Sequence, residues 1–220
     1  MITPNISWRW LGLYLSLGIF SCQAAPDCPC DCDEIGPEPI DRTAWQQPGA
    51  VIDILGNLEE KVVADIGAGE GFFALRLARL ADRVIAVEVE SSFVNYLNQM
   101  ADLELPNAQR GRFEARLAPY ENPNLQEQEV DIVLLVNTFY VIQSEAYLRE
   151  VYPGLKPGGR VVIVDWKDRF IDLRTPNLPD RAERISIGET ERMLEEAGFS
   201  LVRSYDNLLD YQYVVVAEKR

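Results

Sequence analysis

One stretch, Lys61 to Leu80 (KVVADIGAGEGFFALRLARL), constrains the fold more than any other part of the chain. It begins with a run of apolar residues of the kind that fills a strand buried on both faces. Gly67, Gly69 and Gly71 follow, and glycine allows positive φ angles and close contact with a ligand because it has no Cβ. From Phe72 onward the apolar residues recur at helical spacing. A strand that turns into a helix through three glycines predicts a nucleotide-binding turn.

The spacing of the glycines and the residues around them distinguish between ligands. A dinucleotide fingerprint, G-x-G-x-x-G/A, needs a small residue at the position of Phe72, so the sequence counts against NAD. The next predicted strand, Arg83 to Val89, carries Glu88 near its end, where a carboxylate can accept hydrogen bonds from both ribose hydroxyls of an adenosine. Asp65, just before the glycines, is placed to reach a cationic amino group.

Two later segments extend this pattern. Glu129 to Asn137 (EVDIVLLVN) predicts a central parallel strand, and Leu155 to Trp166 (LKPGGRVVIVDW) predicts a tight turn into the following strand. The four segments, in this order, resemble the class I S-adenosylmethionine-dependent methyltransferases from about Trp45 to the C-terminus. The resemblance implies an α/β, Rossmann-like fold with a seven-stranded, mostly parallel sheet, helices on both faces and a reversed C-terminal hairpin. It also implies S-adenosylmethionine as the cofactor.

The resemblance assigns a cofactor site residue by residue. The first motif would wrap the methionine part of the cofactor, and Glu88 would hold the ribose. Asn137 follows the central strand, at the sheet edge where ligands of open α/β sheets bind. The expected cofactor-binding residues are Asp65, Gly67, Ala68, Gly69, Gly71, Glu88 and Asn137.

The third strand, expected near residues 108–115, is where the chain departs from the family. Many members carry an acid just after this strand that contacts the adenine amino group, whereas this chain has Arg116 and Leu117 there. Glu114 or a backbone carbonyl would then take that role.

Two residues are candidates for the chemistry itself. Asp165 ends the strand that starts at Arg160, and we expect it at the sheet edge facing the cleft, as a substrate-orienting or proton-accepting group. The alternative is an ion pair with a nearby base. Tyr140 is a candidate for orienting a nucleophile, and packing beneath the following helix is the alternative. Methyl transfer from a sulfonium depends mainly on alignment and the exclusion of water, so it requires neither a metal nor a covalent intermediate.

Two segments are expected around the cleft. Trp45 and Gln46 precede the first motif, and they either close the pocket or, in the case of Trp45, pack on the sheet edge. The stretch from Phe170 to Arg184 is polar and rich in proline and arginine, which predicts a loop over the substrate side.

The charge balance limits the class of acceptor. The chain has 35 acidic and 21 basic residues, a net charge of −14, and no histidine. A surface this acidic repels phosphate backbones, so DNA or RNA is not expected as a partner. The absence of histidine excludes histidine bases and histidine metal ligands. We therefore expect methyl transfer to a small molecule.

Two alternative functions remain. One is a membrane-tethered binding protein that keeps the fold without turnover. The other, an NAD-dependent reductase, is disfavoured by Phe72 and by the final hairpin.

The N-terminus predicts export. Residues 1–25 have an apolar run from Trp10 to Phe20 followed by small residues, which is typical of a secretory signal and too short for an ordinary transmembrane helix. The segment also resembles a lipoprotein signal, in which Cys22 would be lipidated and tether the chain to a membrane. Export conflicts with the cytosolic supply of S-adenosylmethionine.

A linker is predicted over residues 26–44, before a methyltransferase domain over residues 45–220. Cys28, Cys30 and Cys32 lie in it among acids and prolines. Three thiols at this spacing leave metal binding, disulfide formation and a simple flexible tether as alternatives.

Overall fold

A computed structural model describes residues 41–173 and 178–220 of the chain. The predicted signal, its Cys22 and the three linker cysteines lie outside the described residues. Within residues 41–173 and 178–220, no helix is both long and apolar enough to cross a membrane.

The described residues form seven strands and eight α-helices, with one short 3-10 helix at Arg181–Glu183. The strands are β1 (Val62–Ile66), β2 (Arg83–Glu88), β3 (Phe113–Leu117), β4 (Val130–Val136), β5 (Leu155–Trp166), β6 (Ser200–Tyr205) and β7 (Gln212–Glu218). The helices are α1 (Arg42–Gln46), α2 (Pro48–Leu55), α3 (Ala74–Leu77), α4 (Ser91–Glu104), α5 (Asn107–Arg110), α6 (Phe139–Ile142), α7 (Glu145–Gly154) and α8 (Ile187–Glu196).

The strands form one sheet in the order β3-β2-β1-β4-β5-β7-β6. The first five strands are parallel, whereas β7 runs antiparallel to both β5 and β6. The predicted fold class and its reversed C-terminal hairpin are therefore confirmed. The strand order reverses between β1 and β4, and in open α/β sheets ligands bind at the carboxyl ends of the strands beside such a switch point.

The core lies on both faces of this sheet. Successive side chains of a strand point to opposite faces, so Val63 and Ala64 of β1 belong to different hydrophobic clusters. Helices α2, α3 and α4 cover the Val63 face, with Leu77 among their buried residues. Helices α6, α7 and α8 cover the Ala64 face, with Leu148 among theirs. This burial on both faces explains why β1 and β4 read as continuous apolar runs.

Helix starts follow local chemistry. Pro48 opens α2, where its fixed φ suits the first turn and its missing N–H costs nothing. The side chain of Ser144 accepts a hydrogen bond from Tyr147 N at 3.2 Å before α7, and Ser186 accepts one from Glu189 N at 3.2 Å before α8.

The expected position of the third strand was wrong by several residues. The chain forms the helical turn α5 after Pro106, and β3 pairs with β2 only from Phe113 onward. Its last pair joins Leu117 to Glu88, so Arg116 and Leu117 lie inside the strand instead of after it. The first residue beyond the strand is Ala118.

Candidate functional site

The glycine turn after β1 has the backbone geometry that only glycine adopts easily. Gly67, Gly69 and Gly71 have φ angles of 72°, 55° and 82°. A Cβ on Gly67 would collide with the side chain of Thr138, whereas a Cβ on Gly69 would meet nothing within 4 Å. Gly67 N donates to Val87 O at 2.9 Å, which ties the turn to the end of β2.

Glu88 links this turn to the end of β2. Its Oε1 accepts a hydrogen bond from Gly69 N at 2.6 Å, and its Oε2 accepts one from Val89 N at 3.0 Å. The side chain is nearly buried, but each carboxylate oxygen has two lone pairs and can accept a further hydrogen bond. Glu88 is thus held in place with acceptor capacity to spare.

Glu88 borders a small cavity of about 220 Å³ at the carboxyl ends of the strands. Its other walls are mainly apolar and include Val89, Ala118 and Ile142. An apolar slot with a carboxylate at its edge fits a nucleoside, whose base prefers apolar walls and whose sugar carries hydroxyl donors.

A large cavity of about 710 Å³ adjoins the small one and shares Gly67, Asn137 and Thr138 with it. The glycine turn, Arg42 and Tyr140 line it. Its outer wall includes residues 178, 179 and 183, so the described part of the 170–184 segment lies over the cleft, as the sequence predicts. The two cavities thus lie side by side, one mainly apolar and the other more polar.

Asn137 lies where the two cavities meet, immediately after β4. Its backbone has a φ of 53°, a left-handed conformation that is uncommon outside glycine and often found at binding sites. Asn137 N donates to Val164 O at 2.9 Å, and its Oδ1 accepts a hydrogen bond from Gln212 Nε2 at 2.5 Å. Gln212 is fully buried at the start of β7, and no motif in the sequence marks it.

Asp65 lies beneath the glycine turn and does not line either cavity within the described residues. It is only 3% exposed, and burial raises its pKa to about 7. A hydrogen bond from the Ala74 backbone and the charge of Arg42 lower this pKa, while the charge of Glu88 raises it. A cationic group bound at the turn would favour the charged form of Asp65.

Asp165 does not face the cleft, contrary to the prediction. It is fully buried, its Oδ2 accepts a hydrogen bond from Tyr140 N at 2.7 Å, and its Oδ1 accepts one from Trp166 N at 2.8 Å. Burial raises the pKa of Asp165 to about 7. The backbone hydrogen bonds lower this pKa, but their effect is smaller than that of burial. The predicted ion pair with a nearby base does not form within the described residues either. In this geometry Asp165 holds the start of α6.

Tyr140 lies in α6, between the large cavity and the core. It lines the large cavity and also packs against the buried residues beneath α6. Burial raises the pKa of its hydroxyl, and the charges of Asp165 and Glu183 raise it further. The hydroxyl is therefore neutral at physiological pH and suited to hydrogen bonding.

Helix α1 packs on the sheet through Trp45 and reaches the cavity through a residue that the sequence did not single out. Trp45 is buried and stacks on Trp166 with ring centroids 5.1 Å apart. Gln46 is buried as well, and its Oε1 accepts a hydrogen bond from Arg42 Nε at 2.6 Å. Arg42, one turn earlier, lines the large cavity. The prediction that this segment closes the pocket was the signal that could have drawn attention to Arg42.

Glu114, one of the two predicted candidates for the adenine contact, does not line the small cavity; the other candidate, a backbone carbonyl, stays a prediction. Its carboxylate pairs with Arg83 and with Arg116 Nε, the latter at 2.7 Å, and both arginines also pair with Glu129. These ion pairs occupy the Glu114 carboxylate, and the residue near the end of β3 that lines the small cavity is Ala118.

Comparison with known proteins agrees with this geometry. A family model described as a methyltransferase domain matches residues 64–163, which include the glycine turn, Glu88 and Asn137. The crystal structure of an S-adenosylmethionine-dependent methyltransferase from Aquifex aeolicus superposes with a TM-score of 0.72 at 26% identity, over 81% of this chain and 93% of that one. Together these two matches support a class I S-adenosylmethionine-dependent methyltransferase.

Two curated relatives of this chain are longer proteins. An uncharacterised methyltransferase-like protein of Schizosaccharomyces pombe is 30% identical over 141 residues, which are 63% of this chain and 49% of that protein. The ribosomal RNA small subunit methyltransferase A of Mycoplasmopsis synoviae is 32% identical over 95 residues, which are 42% of this chain and 34% of that protein. The chain thus spans about half of the first relative and about a third of the second.

S-adenosylmethionine is the cofactor that this family implies, and the residues present fit it. The turn leaves space beside Gly69, the small cavity suits an adenosine beside Glu88, and the large cavity suits the amino acid part. Within the described residues, no three His, Cys, Asp or Glu side chains come together as a metal site.

Proposed function

We propose that this methyltransferase transfers a methyl group from S-adenosylmethionine to a small-molecule acceptor. The observation that carries the proposal is the pair of adjacent cavities at the carboxyl edge of the sheet, which share Gly67, Asn137 and Thr138. When bound, S-adenosylmethionine supplies an electrophilic methyl group on a sulfonium.

The residues of the chain act by binding and alignment. Glu88 accepts hydrogen bonds from ribose hydroxyls, and the glycine turn contacts the amino acid part. Asp65 supplies negative charge beneath the turn once it is deprotonated. Tyr140 and the 178–183 segment line the part of the large cavity left for the acceptor, where they exclude water and restrict its orientation.

A small acceptor is favoured over a nucleic acid by charge and by the shape of the site. The net charge of −14 opposes the approach of a phosphate backbone. A cavity of about 710 Å³ lies within the usual range for sites that enclose small ligands.

The test is the fate of a labelled methyl group. The full-length chain is incubated with methyl-labelled S-adenosylmethionine and an extract of the source cells, and the small-molecule, RNA and protein fractions are then separated. We expect label in the small-molecule fraction with wild type and no label above background with Glu88→Ala. Label confined to RNA would contradict the proposed acceptor class.

The predicted alternative is a membrane-tethered binding protein without turnover. It is distinguished by the labelling experiment together with a titration of S-adenosylhomocysteine, because it predicts binding of S-adenosylhomocysteine and no label in any fraction. Export and a tether through Cys22 remain predictions from residues 1–25. Membrane fractionation of the wild-type chain and of Cys22→Ser tests the tether.

A further inference from the structure

A third cavity of about 460 Å³ lies beside α3 and α4 and is lined by three arginines, Arg42, Arg76 and Arg79. We call it the arginine cavity. It shares Arg42 and Glu70 with the large cavity, so the two adjoin where α1 meets the glycine turn. A molecule held in the arginine cavity would therefore lie next to the cofactor site.

Two of these arginines are held against one aromatic ring. The Cζ atoms of Arg42 and Arg76 lie 4.2 Å and 3.9 Å from the centroid of the Phe72 ring, which is the geometry of cation–π contacts. Arg42 Nε donates to Gln46 Oε1 at 2.6 Å, and Arg76 Nη1 donates to Phe72 O at 2.5 Å. Each guanidinium is thus fixed in place while several of its five N–H donors remain available.

The positive charge of this pair is not neutralised by a direct ion pair. Among residues 41–173 and 178–220, no carboxylate lies within 4.0 Å of the guanidinium of Arg42 or Arg76, although Arg79 pairs with Glu104 at 4.0 Å. This is unusual in a chain with 35 acidic and only 21 basic residues. An anion in this cavity would receive charge-assisted hydrogen bonds from a guanidinium that it reaches.

The electrostatics of Arg42 agree with a place for an anion. Burial lowers the pKa of its guanidinium, the charges of Asp65 and Glu70 raise it, and the charge of Arg76 lowers it. Burial and the like charge both disfavour the charged form, and a bound anion would oppose both effects.

The remaining walls of the cavity hold two acids, Glu70 and Glu104, and a group of apolar and aromatic side chains. Phe72, Leu75 and Met100 line it, together with the ring of Tyr96. A ligand that matches both features has an acidic group and an apolar or aromatic body.

We propose that the arginine cavity binds the anionic group, a carboxylate or a phosphate, of the methyl acceptor, and that Arg76 determines this specificity. The proposal rests on the function proposed above, since it names the class of acceptor. Arg42 also lines the large cavity, which we assign to the cofactor, whereas Arg76 lines the arginine cavity and neither of the other two cavities described above. A substitution of Arg76 therefore distinguishes binding of an acceptor anion from binding of the cofactor carboxylate.

The experiment measures binding of simple probes to the full-length chain by titration calorimetry. Benzoate and phenyl phosphate carry the two anionic groups, and benzamide is the uncharged counterpart. The variants are Arg76→Gln, Arg76→Lys and a matched control, Arg149→Gln, which removes an exposed arginine paired with Glu145 on α7. S-adenosylhomocysteine is titrated into each protein separately, and thermal unfolding confirms that each is folded.

We expect one of the two anions to bind at least about tenfold more tightly than benzamide. Arg76→Gln should weaken this binding by about tenfold, Arg76→Lys should restore part of it, and Arg149→Gln should leave it unchanged. S-adenosylhomocysteine should bind wild type and Arg76→Gln equally well.

Three results would overturn the proposal, and they are distinguishable. Anion binding that is absent or unaffected by Arg76→Gln, with S-adenosylhomocysteine binding intact, overturns the anion site alone. Weaker S-adenosylhomocysteine binding by folded Arg76→Gln assigns the arginines to the cofactor. No S-adenosylhomocysteine binding by wild type is a failure of the proposed function, and with it of any methyl acceptor.

Discussion

Asp165 shows how burial decides the role of a carboxylate. At the end of β5 it has the position of a general base, but both oxygens accept hydrogen bonds from backbone N–H groups of Tyr140 and Trp166 and the side chain has no access to the cavity. Its contacts are those of a residue that fixes the start of α6, and α6 carries Tyr140 into the cavity wall.

This role predicts the effect of Asp165→Asn. The amide keeps one acceptor but presents an NH₂ group to the other backbone donor, so we expect a loss of about 1–2 kcal/mol in the free energy of unfolding. Urea unfolding measures this loss, and calorimetry should show that S-adenosylhomocysteine binds within about twofold of wild type. Unchanged stability together with a loss of about a hundredfold in turnover would instead make Asp165 the base.

At the scale of elements, the glycine turn and the segment after β4 fit together without room for a side chain. Gly67 approaches Thr138 so closely that the pair fixes the distance between the ends of β1 and β4. The small and large cavities join at this point, so the contact sets the shape of the site.

Gly67→Ala should therefore change the shape of the cofactor site in addition to straining the backbone. Gly158 provides a matched control, because its φ of 75° is close to the 72° of Gly67 but a Cβ there meets nothing within 4 Å. Both alanine variants should lose about 1 kcal/mol of stability from the positive φ. Only Gly67→Ala should also lose S-adenosylhomocysteine affinity, by about tenfold or more in calorimetry. Equal affinities for the two variants would contradict the close fit.

The elements also show what the sequence could and could not predict. The β1 turn, Glu88 and the final hairpin were predictable because apolar runs, glycines and an acid at a strand end have local causes. The start of β3 was not predictable from local sequence, because it depends on where pairing with β2 begins. The arginine pair around Phe72 and the buried Gln212 depend on contacts between distant segments, and local patterns do not report such contacts.

At the scale of the whole molecule, two buried acids make stability depend on pH. Burial raises the pKa of Asp65 and of Asp165 to about 7, well above the value of about 3.9 for an exposed aspartate. Between these values the folded protein binds more protons than the unfolded chain, so stability falls as pH rises from about 4 to about 7.

The pH prediction can be checked by urea unfolding without ligand. We expect a lower free energy of unfolding at about pH 7.5 than at about pH 5.5, and a smaller difference in the double variant Asp65→Asn/Asp165→Asn. The difference that remains in the double variant reports the general repulsion within a chain of net charge −14. A wild-type chain more stable at about pH 7.5 than at about pH 5.5 would contradict the raised pKa values.

The most direct test of the central claim is a calorimetric titration of the full-length chain with S-adenosylhomocysteine, in wild type, Glu88→Ala and Glu121→Ala. Glu88 borders the small cavity and supports the glycine turn, whereas Glu121 is an exposed acid outside the cofactor cavities. We predict saturable binding by wild type and Glu121→Ala and binding at least about tenfold weaker by Glu88→Ala. No binding by folded wild-type protein, or equal binding by all three, would contradict a cofactor site at this edge of the sheet.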